Sequence, residues 1–384
     1  MMKEYAMKKS CCQSMTEVNR TMTLWNSICA SVNRTSFSNT LTISMINKLL
    51  YILILLIILV NAETSAATRE EIAAINVPTA ADFQYWTNGS SAKNKLIEYV
   101  EDVTNPSSQN FIPVEDRIAV FDCDGTLICE TAPYYFGWTM YLHHVLEDKN
   151  YNPSTQEADF AARARAAIHN HNLTSDLTSE MINYYPKSYA DLTPAEFSAF
   201  VKNYINNNYV EGLGNLKVGE AFYLPMVEVV AYLNANGFTV YIVSGCERES
   251  LRALIDGALA IKPNHIIGSD HSYKVVDGHL IRSGSIIDST VGESKIIKIQ
   301  REIGRQPVLA FGNSSGDFAM LNYTINNNKY KSAAFILLCD DTEREFGNLS
   351  KAAKTKAAAD NNGWIAVSMR NDFKTIYGYD ILKY

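Results

Sequence analysis

The stretch Ile118–Glu130, IAVFDCDGTLICE, constrains this chain more than any other. Four apolar residues, Ile118, Ala119, Val120 and Phe121, lead straight into Asp122; after one cysteine come Asp124, Gly125 and Thr126. A short apolar run that stops at a turn signal reads as a strand buried on both faces, as in a parallel sheet. The C-terminal end of such a strand is where open α/β sheets bind their ligands. Residues two apart on an extended chain point the same way, so Asp122 and Asp124 are expected in one site. Two carboxylates that close repel unless a cation or a shared proton relieves them. The competing reading is a solvated Asp-Gly turn. The rest of the chain decides between the two.

Downstream, strands alternate with helices. Pro225 to Asn236 reads as an amphipathic helix stopped by Gly237, and Phe238 to Val243 as a strand ending at Ser244-Gly245. A helix is expected from Arg248 to Leu259, a small excursion of strands and turns over 264–284, and a helix from Glu293 to Ile303 carrying Lys295 and Lys298. The strand Pro307–Phe311 then enters the loop Gly312-Asn313-Ser314-Ser315-Gly316-Asp317, and further strands follow at Ala333–Cys339 and Trp364–Ser368. That rhythm predicts a parallel sheet covered by helices on both faces. Between the first strand and about Val218 the pattern is instead helical and rich in Tyr, Asn and Ala. There, Thr193-Pro194-Ala195-Glu196 forms a capping box with proline at the first helical position. An amphipathic helix over Ala92–Val103 belongs to a lead-in packed on the core.

Three strand ends therefore offer polar groups: Asp122 and Asp124, then Ser244 with Gly245, then Asn313 to Asp317, with Lys295 before the third. If the strands are neighbours, these groups converge on one edge of the sheet. Acidic oxygens with carbonyls and water make a hard, oxygen-only site that suits Mg²⁺ rather than zinc. A serine hydroxyl, backbone N–H groups and an ammonium suit the oxygens of a phosphoryl group. Each element alone matches common turn chemistry; the conjunction in this order is what carries weight.

These motifs resemble the haloacid dehalogenase superfamily, specifically its phosphatases. Phe121–Thr126 is similar to the first motif, Val243-Ser244-Gly245 to the second, Lys295 to the third, and Gly312–Asp317 to the fourth. The helical region matches the position of that superfamily's type-1 cap. RIAVFDCDGTLICE, the helix with Lys295, LAFGNSSGDFAML and DDTEREF resemble an exported branch of these hydrolases, over about Trp86 to the C-terminus; phosphoserine and phosphorylcholine phosphatases are similar more loosely. The resemblance implies a Rossmann-like core with a helical cap inserted after the first core strand. It implies Asp122 as nucleophile and Asp124 as general acid and base. Ser244, Gly245 and Lys295 would hold the phosphoryl group, with Lys298 as the substitute if Lys295 faces away. Asp122, Asp124, Asn313 and Asp317 would bind Mg²⁺, Asp122 by its side chain and Asp124 by its backbone carbonyl. One departure concerns Asn313, where many relatives carry Asp, so Asp317 is the firmer ligand. Glu130 is a candidate substrate contact where the cap begins; a surface carboxylate without a role fits equally. The substrate-binding glutamate of phosphoserine phosphatases falls, by counting, one residue later.

The resulting organisation is residues 1–62 as an upstream extension and signal peptide, 63–131 as lead-in and first strand, 132–218 as cap, and 219–384 as the remaining core. The uncharged run Leu49–Val60 is short for a bilayer span and suits a signal-peptide core, with Met45–Lys48 as start and positive flank and small residues near Ala62 and Ala66 for cleavage. Export to a periplasm or medium is expected, with no stable membrane span after cleavage; an uncleaved anchor at 49–60 is the alternative. A formal charge of −7 without a dense basic run argues against nucleic-acid binding. Cys123, Cys129, Cys246 and Cys339 have no CxxC spacing, so zinc is not expected, and buried free thiols are the reading taken. The function expected is Mg²⁺-dependent hydrolysis of a small-molecule phosphomonoester through an aspartyl-phosphate. Transfer to an acceptor alcohol, or a non-catalytic phosphate-binding or phospho-acceptor module, are the alternatives, with dehalogenation a remote one. Tyr134, Tyr135, Arg163 and Arg165 are the cap residues considered for substrate choice.

Overall fold

The run Ile118–Phe121 forms strand β1, and all four of its residues are buried. Alternation along it splits the interior in two. Ala119 and Phe121 enter one hydrophobic cluster with the lead-in and the cap, while Ile118 and Val120 enter a second on the other face. That two-sided burial explains why the strand has no polar position.

The computed structural model describes residues 66–130, 135–170, 172–378 and 381–383. By internal contacts the chain divides into Met1–Ala62 and Glu63–Tyr384, and every described residue belongs to the second unit. The apolar run Leu49–Val60, its flanks up to residue 65, and Tyr134 lie outside the described residues. Among those described, no helix is long and apolar enough to cross a membrane.

Helices α1 (Arg69–Ala73) and α2 (Ser91–Thr104) precede β1. Four helices follow it: α3 (Phe136–Leu146), α4 (Thr155–His169), α5 (Ser175–Ser188) and α6 (Pro194–Asn207). The short strand β2 (Leu213–Gly214) and α7 (Leu224–Ala235) lead back to the sheet through β3 (Thr239–Glu247) and α8 (Arg248–Ile255). Next come β4 (Ile266–Val276), β5 (His279–Asp288), α9 (Glu293–Glu302), β6 (Leu309–Gly312) and α10 (Phe318–Ile325). The chain ends with β7 (Ala333–Leu338), α11 (Leu349–Asn362), β8 (Ile365–Ser368), α12 (Met369–Asp372) and β9 (Leu382–Lys383), which pairs with β2.

The main sheet has the order β5-β4-β3-β1-β6-β7-β8. Every pairing in it is parallel except β4 with β5, so this is the α/β architecture the strand rhythm predicts. The phenyl rings of Phe121, Phe311 and Phe335 stack across β1, β6 and β7, with centroids 4.2 and 5.0 Å apart. They level the strand ends, so Asp122 and Gly312 emerge beside each other; the Asp122 N–H donates to the Phe311 carbonyl at 2.9 Å.

The cap helices α3–α6 bury an aromatic cluster that includes Tyr141, Phe160, Tyr185, Tyr189 and Phe197. The capping box forms at the start of α6 as its spacing requires, Thr193 accepting from the Glu196 N–H at 3.2 Å. The β4–β5 hairpin is joined to this cap. Arg282 of β5 exchanges backbone hydrogen bonds with Asp191 and Leu192 at 3.0 and 2.9 Å. Its guanidinium, fully buried, lies 3.8 Å from the Phe197 ring centroid and pairs with Glu247 at 3.0 Å.

Two local outcomes differ from expectation. Strand β3 runs on through Ser244 and Gly245 to Glu247, with a register irregularity between Val243 and Glu247 against β4. Helix α8 stops at Ile255, because Asp256 and Gly257 turn the chain, the glycine at φ +74°.

Candidate functional site

The site grows out of the end of β1. Lys295, in the first turn of α9, donates to Asp122 Oδ1 at 2.7 Å and to Asp317 Oδ1 at 2.6 Å. The loop after β6 folds back on itself, so that Asp317 Oδ2 accepts from the backbone N–H groups of Asn313 and Ser314, both at 3.0 Å. The same loop is tied to the start of α9, where the Gly292 N–H donates to the Gly316 carbonyl at 3.1 Å. Two buried carboxylates thus share one buried ammonium. Burial, and then the Asp317 charge, push the Asp122 carboxyl above the usual carboxylate range, against the pull of Lys295. Burial alone would lower Lys295, but the two carboxylates outweigh it and hold its ammonium above the usual range.

Asp124 lies one residue further along. The Cys246 thiol donates to its Oδ2 at 2.9 Å, while its buried Oδ1 has no hydrogen-bond partner. Burial raises its carboxyl to about 7. The turn that follows closes with the Gly125 N–H donating to the Ile128 carbonyl at 2.8 Å. Gly125 has φ +73°, and a Cβ there would sit 2.0 Å from Asn313 Nδ2 and 2.4 Å from Glu130 Oε2. The glycine is thus required by a side-chain pair packed against it: Asn313 Nδ2 donates to Glu130 Oε2 at 2.6 Å. Lys351, from α11, reaches the same oxygen at 3.3 Å.

Ser244 is buried, and its Oγ accepts from the Cys246 N–H at 3.2 Å. The Gly245 carbonyl accepts from Ser269 Oγ at 2.6 Å, and Ser269 in turn accepts from the Thr290 N–H. These bonds fix the irregular end of β3 against β4 and the loop before α9.

One cavity of about 430 Å³ is lined by Asp122, Asp124, Glu130, Ser244, Gly245, Lys295, Asn313 and Asp317 together. Every residue singled out in the sequence for catalysis, phosphate or metal, apart from the substitute Lys298, therefore borders a single space. Lys298 does not border it; its ammonium donates to the Gly268 carbonyl and Asp270 instead, at 2.8 and 2.7 Å. Of the cap candidates only Tyr135 lines the cavity among the described residues. Arg163 pairs with Asp159 and Glu180, and Arg165 with Glu147 beside a second cavity of about 350 Å³. Among the described residues no cysteine is in a disulfide: Cys123 and Cys129 are buried, while Cys246 and Cys339 are partly buried. The sequence reading missed Cys246 and Lys351 as neighbours of Asp124 and Glu130, and His271 and Trp138 as cavity walls. Only Cys246 carried a signal, standing two residues after Ser244.

A family model for haloacid dehalogenase-like hydrolases matches residues 119–322, more than half of the chain and all of the strand ends just described. The chain belongs to this family. Among solved structures, a conserved protein of unknown function from Anaerococcus prevotii is similar at 15% identity and a TM-score of 0.48, covering 78% of this chain and 98% of that one. A cytosolic 5'-nucleotidase IIIB bound to cytidine is similar at 13% identity and TM-score 0.42, covering 74% and 86%. A probable phosphoserine phosphatase from Vibrio cholerae is similar at 13% identity and TM-score 0.37, covering 69% and 64%. No curated protein sequence matches the chain.

For a haloacid dehalogenase-like hydrolase, the fit of these residues to a divalent cation is a matter of their donors. The set is all oxygen, from Asp122, Asp124, Asn313 and Asp317, which suits Mg²⁺. Asp124 Oδ1 is a buried acceptor without a donor, and Asn313, with Nδ2 committed to Glu130, offers its amide oxygen. Both oxygens of Asp317 are engaged by Lys295 and backbone N–H groups. Among the described residues, no three carboxylates, histidines or cysteines stand ready-gathered for a metal. The donor chemistry fits, with Asp124 and Asn313 the readier donors and Asp122 and Asp317 both shared with Lys295.

Proposed function

We propose that this hydrolase cleaves a small-molecule phosphomonoester through an aspartyl-phosphate on Asp122, with Mg²⁺ as cofactor. The observation that carries the reading is the buried pair Asp122 and Asp124 at one strand end, with Lys295 held 2.7 Å from Asp122 and Ser244 on the wall of the same cavity. Phosphate-monoester hydrolysis is among the slowest uncatalysed reactions, accelerated by enzymes by up to roughly 10²¹-fold. Dividing it into two displacements lowers each barrier.

In the first step Asp122 forms a bond to phosphorus as the bond to the leaving oxygen breaks, and Asp124 gives that oxygen its proton. In the second, water attacks phosphorus, the Asp122 bond breaks, and Asp124 takes the proton back. A group held at about 7 is suited to move a proton in both directions near neutral pH. Lys295 and Ser244 bind and orient the phosphoryl oxygens. Bound Mg²⁺, held by Asp122, Asp124, Asn313 and Asp317, would supply positive charge that offsets repulsion between the nucleophile and the phosphate. Glu130, itself paired with Lys351, fixes the Asn313 amide at the edge of the cavity. A stable phospho-acceptor has no use for a proton-bearing carboxyl beside its aspartate, which disfavours the non-catalytic alternative.

The test is Asp122→Asn. Phosphate release in the presence of Mg²⁺ should fall by about 10⁴-fold or more while the melting transition stays cooperative. Retained turnover would remove Asp122 from the mechanism.

A further inference from the structure

The cavity over Asp122 has two kinds of lining. Asp122, Asp124, Ser244, Lys295 and Asp317 come from the strand ends; Trp138, Met181, Ile182 and Tyr185 of the cap, with Ile286 and Val291, give it aromatic and aliphatic surface, with the Thr178, Ser250 and Ser289 hydroxyls among them. Ile182 and Val291 remain 55% and 56% exposed, apolar surface that a bound apolar group would cover. At about 430 Å³ the space is of the size that holds a whole small molecule, well beyond a phosphoryl group.

Charge narrows the choice further. Asp122, Asp124, Glu130, Glu247 and Asp317 all border the cavity, and among the described lining residues Lys295 is the sole ammonium or guanidinium, already held by two carboxylates. Glu247 and Glu130 are matched from outside the cavity by Arg282 and Lys351. The cap arginines, the obvious partners for a second anionic group, are turned elsewhere: Arg163 to Asp159 and Glu180, Arg165 to Glu147. His271, on the wall, is kept neutral by burial and by Arg282 beside it. A carboxylate or second phosphate on the substrate would meet no counter-charge there. A cationic group would find Glu130 and Glu247 already paired with Lys351 and Arg282, and Asp122 and Asp317 already paired with Lys295.

We propose that the substrate's leaving group is uncharged, apolar and about the size of an aromatic ring, with no second anionic group. Aryl and arylalkyl phosphates fit this description; phosphorylated amino acids, bisphosphates and nucleoside polyphosphates do not. The proposal rests on the phosphatase reading above.

The test compares benzyl phosphate with O-phosphoserine and phosphocholine on the full chain with Mg²⁺, reading phosphate release. All three leave as alkyl alcohols, so the comparison reports the wall rather than leaving-group chemistry. Benzyl phosphate should be favoured in kcat/KM by about tenfold or more over each of the others. Ile182→Arg, at a half-exposed cap position, should move the phosphoserine-to-benzyl ratio of kcat/KM upward by about tenfold. Preference for phosphoserine or phosphocholine, or a ratio unmoved by Ile182→Arg, overturns the apolar wall while leaving the phosphatase reading in place. Release from none of the three by folded protein overturns the phosphatase reading, and the substrate class with it.

Discussion

Lys295 and Lys298 leave the same helix one turn apart, and each is only 2% exposed. Their surroundings differ in charge balance. Lys298 meets the Gly268 carbonyl and Asp270, and Asp270 is also held by Arg248 at 2.6 Å. With Glu302 on the other side of Arg248, positive and negative charges there match, and the cluster staples β4 to α8 and α9. Lys295 stands between Asp122 and Asp317 with Asp124 close by, one cation among three buried carboxylates. Burial of a charge does not mark a functional site, since both lysines have it. What sets Lys295 apart is the surplus of carboxyl groups around it, which in the proposed mechanism a bound divalent cation would balance before a phosphoryl group enters.

The sharpest way to break the comparison is to remove each ammonium while keeping its stem. Lys295→Met should lower kcat/KM for a phosphate ester by about 10²–10³-fold, the usual effect of deleting one group that stabilises a developing anion. It also leaves two buried carboxylates facing each other, so a stability loss of about 3–5 kcal/mol is expected in denaturant melts. Activity of folded variant within a few-fold of native would mean that Lys295 is another staple. Lys298→Met should do the opposite. Losing the donor to a buried carbonyl costs about 1–3 kcal/mol in the same melts, with kcat/KM of the folded fraction essentially unchanged. A large catalytic loss there would erase the distinction.

A third buried charge extends the test to a purely structural setting. Glu228 of α7 is 1% exposed and accepts from the backbone N–H groups of Gln84 and Tyr85 at 2.6 and 3.1 Å, holding the lead-in to the core. Burial raises its carboxyl from 4.5 to about 7, against those two donors. A folded-state value above the unfolded one gives stability that is present below about pH 4.5 and lost as pH rises through about 7. Glu228→Gln does not titrate. The stability of native protein relative to this variant should therefore fall by roughly 2–3 kcal/mol between about pH 5 and pH 8 in urea melts. A difference that stays flat, or grows with pH, contradicts the assignment.

What was legible in the sequence follows from how local the signal is. The strand ends could be read because a strand buried on both faces must be apolar throughout, and its polar successors stand out: Asp122 after Phe121, Asn313 after Gly312. Their convergence needed the strand order, which the alternation of strands and helices left open and which the adjacency of β3, β1 and β6 supplies. The choice between Lys295 and Lys298 was not legible, since both lie in an amphipathic helix and only the tertiary partners separate them. The course of β3 past Ser244 was hidden by a Ser-Gly pair that usually means a turn; here the pairing of Glu247 with Ser269 and the bond from Ser269 to the Gly245 carbonyl keep the chain extended. Lys351 was invisible for a simpler reason. It meets Glu130 across 221 positions of sequence, from a polar helix in which nothing distinguishes it from Lys354 or Lys356. In the cap, helical spacing placed the aromatic residues in a core but could not say that Trp138 and Tyr185 face the cavity while Arg163 and Arg165 turn away.

Arg282 carries a mechanical consequence. Its ring partner Phe197 belongs to the cap, and its carboxylate partner Glu247 belongs to the sheet. Any separation of cap from sheet would part the guanidinium from one of the two, or bend the hairpin on which it rides. The coupling between the two layers is thus concentrated at one buried side chain, far along the sequence from Asp122 and Asp124.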